Sequence, residues 1–477
     1  MRGLPGLDVH ESHRVRRWDA VVLGSALPGL VAAARLAMRG AQVLVIEEET
    51  AVTSFAGLRE PFLMTGDTSD SPLGACLSAI GVPLIDRRNL LFEPIAYQIV
   101  WPGTRLNFGD VERTADEFDC WNLAERRAAQ DWLQQLERAT ASEGSRLLAS
   151  QLASATRRPA FAGRMPARTQ APPTATHPTV DHTIASAPGL AAIAEAQVRA
   201  LADFGDRAPQ GVDRDRLIGT GLGGAVTVGG KDPWLASLLR RRIEARHGAF
   251  RRLSGALRIV QSGNLPVVIA DESRDASAAR ALLVNAPATA LIEMDRRSNP
   301  EPTPNTQSAQ TWLGDAAPSA RRLSLHLRGD RRLLPEAMAP RVVCIRDLSA
   351  PMTGTNVVRV RWFERGTEVD LLADTTVAAD SRDDDRALED IGRSIVSLMP
   401  LGDEGWSRVA IPEPLWDRSD LLADPHDASG DPIPGLRQPI ARVPVYVIDG
   451  SRSARRGFEG DLMLGWQAGD AIGAELG

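Results

Sequence analysis

The stretch "WDAVVLGSALPGLVAAARLAMRGAQVLVIEEE", Trp18 to Glu49, decides the fold. Ala20–Leu23 and Val43–Ile46 are short apolar runs of the kind that form buried parallel strands. Between them Pro28 suits a first helical turn, an Ala/Leu-rich segment follows, and Gly40 suits the stop. The spacing predicts a βαβ unit with a right-handed crossover. Its turn, Gly24-Ser25-Ala26-Leu27-Pro28-Gly29, has the form in which one glycine permits the bend, a second admits a diphosphate to the backbone, and a third lets helix pack on strand. Ala26 stands at the second of these positions, and its methyl group narrows the approach. Glu47 stands where a carboxylate can accept both hydroxyls of an adenosine ribose. Gly24, Ser25, Ala26, Gly29 and Glu47 are therefore candidate nucleotide-binding residues. A buried unit of the same form without nucleotide is the alternative.

A chain of 477 residues suits two domains, or one large domain carrying an insert. The net charge of −6 offers no basic field for nucleic acid, which leaves a small molecule or a protein as the expected partner. Lys231 is the single lysine. Three scattered cysteines, Cys76, Cys120 and Cys344, form neither a CxxC pair nor an even framework, as expected in a reducing compartment and without structural zinc. Asp19 and the glycines interrupt the N-terminal apolar run, and nothing reaches the ~20 apolar residues of a membrane span. The expectation is a cytoplasmic protein, at most peripheral to a membrane.

Residues 60–155 read as turns followed by helix. Thr156–Thr179 is rich in Pro, Ala and Thr and has no acidic residue, so it reads as a flexible or polyproline-like insert, or as a docking segment for an acidic partner or lipid surface. Residues 189–204 read as helix. "VTVGGKDPWLASLLRRRIEARHG" then reads as strand, turn and basic helix, "ALRIV" and "LPVVIA" as a hairpin, and "ARALLVNAP" as a buried strand. Alternation from Arg321 to Val377 predicts an antiparallel sheet, followed by the helix "RALEDIGRSIVSLM". The chain closes on the strand "VPVYVI", a loop, and a helix.

The opening stretch resembles the N-terminal FAD fingerprint of the phytoene desaturase and flavin amine oxidase superfamily. The tail "VYVIDGSRSARRGFEGDLMLGWQAGDAIG" is similar to its C-terminal flavin motif, and "GGKDPWLASLLRRRIEARHG" through "ALLVNAP" resembles the segment that completes its FAD domain. The resemblance implies an α/β fold in which a Rossmann-like, discontinuous FAD-binding domain of the GR2 type carries an inserted mixed-sheet and helical substrate domain. On that basis 1–60, 215–295 and 440–477 are expected to form the FAD-binding domain, and 61–155 with 300–439 the substrate domain. Residues 156–180 would be a linker or insert and 181–214 a helical connection. The resemblance implies FAD as cofactor, held at its adenosine diphosphate half by Gly24, Gly29 and Glu47, with Asp449, Gly450, Gly457 and Gly460 near the flavin. The last helix would point its positive end at the ring.

The departures from the pattern are specific. "EEETAVTSFAGLRE" keeps only Gly57 of the usual Gly-Gly region, the usual Gly-Asp is reversed as Asp449-Gly450, and Ala454-Arg455-Arg456 replaces a glycine-rich approach. Glu459 and Asp461 stand where they can cap the last helix, and Arg455 and Arg456 read as phosphate partners or as solvated charges.

Amine oxidases of the superfamily usually place a lysine near the flavin and aromatic residues around the substrate. Lys231 falls in the FAD-domain segment and the chain has only Tyr97 and Tyr446 as tyrosines, which disfavours amine oxidation. The expected activity is removal of hydride from a lipophilic, isoprenoid-like substrate, the Arg321–Val377 alternation lining a tunnel or forming ordinary core. Rab escort and GDP-dissociation-inhibitor proteins resemble the same fold without FAD, so a non-catalytic scaffold for a protein or lipid is the second reading. Gly219–Gly224 reads as a flexible turn, His10-Glu11-Ser12-His13 lacks the spacing of a zinc motif, and Asp383–Asp385 reads as a helix cap or solvated run. No metal site and no catalytic acid or base is named by the sequence.

Overall fold

A computed structural model describes residues 14–66, 68, 70–156, 180, 187–255, 257–262, 265–270, 275–285, 318–398, 405–423, 445–448, 453 and 456–477. Strands Arg14–Leu23 and Val43–Glu48 flank the helix Leu27–Met38, and the two strands pair in parallel. Three strands from distant parts of the chain extend this pair. Ala249–Leu253 joins Val43–Glu48, Asp275–Val284 joins Arg14–Leu23, and Val445–Val447 joins Asp275–Val284, all in parallel. The hairpin Leu257–Ser262 and Leu265–Ala270 adds antiparallel to the other end of Asp275–Val284, completing a seven-stranded sheet.

The parallel strands read as continuous apolar runs because both faces are covered. Val43 and Val45 pack with Leu30, Val31 and Ala33 of the first helix, whereas Leu44 and Ile46 pack with Val21, Leu23 and Trp416 on the opposite face. Burying one such aliphatic side chain is worth about 1.5–3 kcal/mol. Differences in helix propensity are below about 1 kcal/mol per residue, so packing rather than propensity fixes this unit. The C-terminal helix, Gly457–Leu476, lies against the first one. A side chain at Gly465 would overlap the carbonyl of Pro28, so the small residue lets the backbones approach. Arg35 and Arg39 both reach Asp470 across this contact, at 2.7 and 2.8 Å.

The second, eight-stranded sheet contains Pro318–Asp330, Glu368–Ala378, Val357–Arg365 and Arg341–Ile345 in antiparallel succession. It continues into a hairpin, Ile95–Trp101 and Thr104–Gly109. That hairpin lies where the sequence reads only turns and helix; "IAYQIVW", "PG" and "TRLNFG" carry the strand-turn-strand signal. The Arg321–Val377 alternation sorts the sheet into two faces. Leu323, Leu325, Val358, Val360, Leu371 and Ala373 form a core with the helix Asp384–Leu398. The apolar alternation therefore builds core rather than a tunnel. Arg322, Ser324, His326, Arg359, Arg361 and Asp374 occupy the other face, which turns towards residues 54–62.

Gly219–Gly224 is the end of the helix Gly211–Thr220 followed by the 3-10 turn Gly221–Gly223, and it is packed at Gly219 and Gly221 rather than a flexible turn throughout. A side chain at Gly219 would overlap Thr140, and one at Gly221 would meet Tyr97 and Phe108. The strand predicted at "VTV" runs from Ala225 to Val228 and pairs with Leu90–Glu93 in a separate two-stranded sheet. His10–His13 and nearly all of Thr156–Thr179 lie outside the described residues. Among the described residues no helix is long and apolar enough to cross a membrane, and no His/Cys/Asp/Glu group could hold a metal ion.

Candidate functional site

The site lies at the C-terminal edge of the parallel sheet, where the polar face of the second sheet faces it. Gly24 leaves the first strand with φ +89, a left-handed conformation that costs a side-chain-bearing residue free energy. Asn285 fixes this turn from the neighbouring strand. Its N–H donates to the Leu23 carbonyl at 2.7 Å, and its side-chain amide donates to the Ala26 carbonyl at 3.1 Å. A side chain at Gly24 would overlap the Asn285 carbonyl, and one at Gly29 would overlap the Asn285 amide group. Both glycines are thus demanded by packing within the chain. Ala26 has φ −65 and ψ 162, an ordinary extended conformation that accommodates its methyl group without strain.

The two acids that end the second strand have separate partners. Glu47, 1% exposed, pairs with Arg240, whose guanidinium also stacks on Phe250 at 3.9 Å; the second Glu47 oxygen is buried with no hydrogen-bond donor. Glu48, equally buried, accepts from the N–H groups of Leu415, Trp416 (2.7 Å) and Asp417 (2.9 Å). Asp417 is thereby set beside the glycine turn. The Ser25 N–H points to its carboxylate at 3.4 Å, and Arg59 bridges Asp417 and the Ser25 hydroxyl, at 2.9 Å each. The sequence singles out none of Glu48, Arg59, Asn285 or Asp417 as a site residue.

Gly457 and Gly460 open the C-terminal helix, and Asp449 and Gly450, with Ala454 and Arg455, lie outside the described residues. Glu459 pairs with the buried Arg216 rather than standing free at the helix end. Asp461 accepts from the Ser453 hydroxyl at 2.5 Å, and burial pushes its carboxyl up to about 6. Arg456 is mostly buried, 3.8 Å from Asp213, instead of solvated. Lys231 is exposed in a turn, while Tyr97 and Tyr446 are buried in separate hydrophobic cores.

Two cavities meet here. The smaller, about 160 Å³, lies between Ala26–Pro28 and Gly457–Asp461, where the N-termini of two helices converge. The larger, about 950 Å³, is bordered by Arg59, Arg321, Arg322, His326, Arg408 and Arg418. Arg59, Arg322 and Arg418 border both. Around the polar sheet face, Asp374 accepts from Arg359 and Arg361 at 3.3 and 3.1 Å, and Arg322 joins Asp203. Burial, reinforced by Arg359, lowers Arg322 to about 9. His326 stacks on Phe55, with ring centroids 4.5 Å apart, and its Nε2 lies 2.8 Å from Asp370. Burial lowers its pKa, which favours the neutral ring. Glu60, between the sheets, accepts from the Leu235 N–H at 2.9 Å, and burial raises its carboxyl to about 7.

No protein-family model and no curated protein sequence matches the chain. Solved structures do. An oxidoreductase from Methanosarcina mazei matches over 94% of this chain and 99% of its own, with a TM-score of 0.54 and 14% identity. Cyclohexylamine oxidase from Brevibacterium oxydans IH-35A matches over 96% and 99%, with a TM-score of 0.50 and 14% identity. At that identity the likeness is one of fold. The chain has the fold that these two solved structures share.

Proposed function

We propose that the chain is an FAD-dependent oxidoreductase built on a discontinuous, GR2-type FAD-binding domain. The observation that carries this reading is the buried Glu47 oxygen without a donor, set at the end of the second strand beside the Gly24–Gly29 turn. A buried carboxylate oxygen left unpaired is costly, and a ribose hydroxyl supplies the missing donor. The fold supports the same reading.

Fit to the rest of the cofactor is incomplete in this conformation. The Asp417 carboxylate lies against the Ser25 N–H, on the approach a diphosphate needs, and the 160 Å³ between the helix ends falls short of the ~300 Å³ at the lower end for ligand pockets. FAD supplies hydride acceptance when bound. The arginine-bordered larger cavity favours a polar organic substrate over an isoprenoid one. The test is anaerobic: protein loaded with FAD is mixed with panels of primary amines and of hydroxy acids, and loss of the yellow flavin band is followed. Bleaching by one class supports the reading, whereas a protein that takes up no flavin contradicts it.

A further inference from the structure

We propose that Asp417 is a built-in competitor for the diphosphate of the nucleotide, held in place by Glu48, so that the chain sets its own cofactor affinity. This rests on the FAD reading above. Glu48 gathers three successive N–H groups, Leu415 to Asp417, and such a run of N–H donors around one carboxylate fixes the direction of the segment. Trp416 is buried beneath the sheet with Val21, Leu23 and Ile46, and locks the same register. Asp417, 1% exposed, then presents its carboxylate to the Ser25 N–H and to Arg59. A strand-to-helix turn of this kind is an anion seat, and here the anion is the chain's own.

The seat is imperfectly satisfied. The second Asp417 oxygen is buried and has no donor, the Ser25 contact is long at 3.4 Å, and the neighbouring Leu415 stays half exposed. A diphosphate brought to the same N–H groups meets a like charge in a poorly solvated place, and one of the two must leave. Binding of FAD therefore requires the Leu415–Arg418 segment to withdraw, releasing Arg59 to the incoming phosphate. Removing the Asp417 charge removes the competitor and leaves Glu47 untouched.

The experiment is an FAD titration of the full chain and of Asp417→Asn, Glu48→Gln and Glu47→Ala, followed by quenching of flavin fluorescence. Amide hydrogen exchange of residues 415–417 is measured with and without FAD. We expect Asp417→Asn and Glu48→Gln to bind FAD at least ~10-fold more tightly than the unaltered chain, and exchange at 415–417 to rise on adding FAD. Equal affinity in all but Glu47→Ala overturns the competitor and leaves the FAD reading standing. No binding by any form overturns both. Should Asp417→Asn fail to fold, Glu48→Gln and the exchange measurement decide: unchanged affinity and unchanged exchange on FAD binding overturn the proposal.

Discussion

Arg240 holds one oxygen of the buried Glu47 carboxylate and leaves the other without a donor. The pair ties the helix Leu235–Glu244 to the end of the second strand while keeping an acceptor for a ligand. Glu47→Ala is expected to abolish FAD binding. It should also lower stability by about 1–3 kcal/mol, less than the ~3–5 typical of a broken buried pair, because Arg240 is partly solvated and keeps the Phe250 ring. Flavin titration and urea unfolding read the two effects separately.

Asp374 is the counter-charge for Arg359 and Arg361 in the interior of the second sheet. Asp374→Asn leaves the buried Arg361 guanidinium without its ion-pair partner, while Arg359 keeps Asp203 at 3.1 Å, and a loss of about 3 kcal/mol is expected in denaturant unfolding. A loss below about 1 kcal/mol would show that these arginines reach water or other partners.

Glu60 gives a pH signature. Its carboxyl is raised to about 7 in the folded chain, chiefly by burial, against an ordinary 4.5. Between those values the folded state binds more protons than the unfolded one, so this group's stabilisation is full at low pH and is lost as pH climbs through that window. The Asp461 carboxyl, raised to about 6 from 3.8, acts in the same direction at lower pH. Glu60→Gln, which keeps an acceptor for the Leu235 N–H, should be more stable than the unaltered chain above pH ~7 by about 1–3 kcal/mol, and should flatten the profile between pH ~4.5 and ~7. Melting temperatures across that range check it; parallel profiles would show that Glu60 titrates normally.

Gly24 and Ala26 separate packing from ligand approach. Gly24→Ala forces a side chain into a left-handed position and against the Asn285 carbonyl, and should cost at least about 2 kcal/mol whether or not FAD is present. Ala26→Gly should change stability by less than about 1 kcal/mol and tighten FAD binding, since the methyl group is unstrained and only narrows the approach. Thermal melts with and without FAD distinguish the two.

Local pattern made much of the fold legible. Apolar runs, a glycine turn and a helix stop define the first βαβ unit, and strict alternation from Arg321 to Val377 marks the antiparallel sheet. The hairpin Ile95–Gly109 is equally local in its signal, but its Pro102-Gly103 turn merges in the sequence pattern with the irregular residues on either side. Spacing names Gly24, Gly29 and Glu47 as candidates, and the structure brings the three together at one edge of the parallel sheet. The site was not legible at Asp417, which meets Ser25 and Glu48 across more than 300 residues of chain. No spacing rule spans such a contact, and only the packed sheet brings its members together. The charged lining of the larger cavity was hidden for a related reason: the same alternation that announces a buried face also sends Arg322, Ser324 and His326 to the opposite one.

The proposed hold of Glu47 on FAD is tested most directly by flavin content. Purified protein is incubated with excess FAD and freed of unbound flavin, and its visible absorption and the FAD released on denaturation are recorded. Close to one FAD per chain is expected, and none in Glu47→Ala. A colourless protein at saturating FAD, with Asp417→Asn colourless as well, would contradict it.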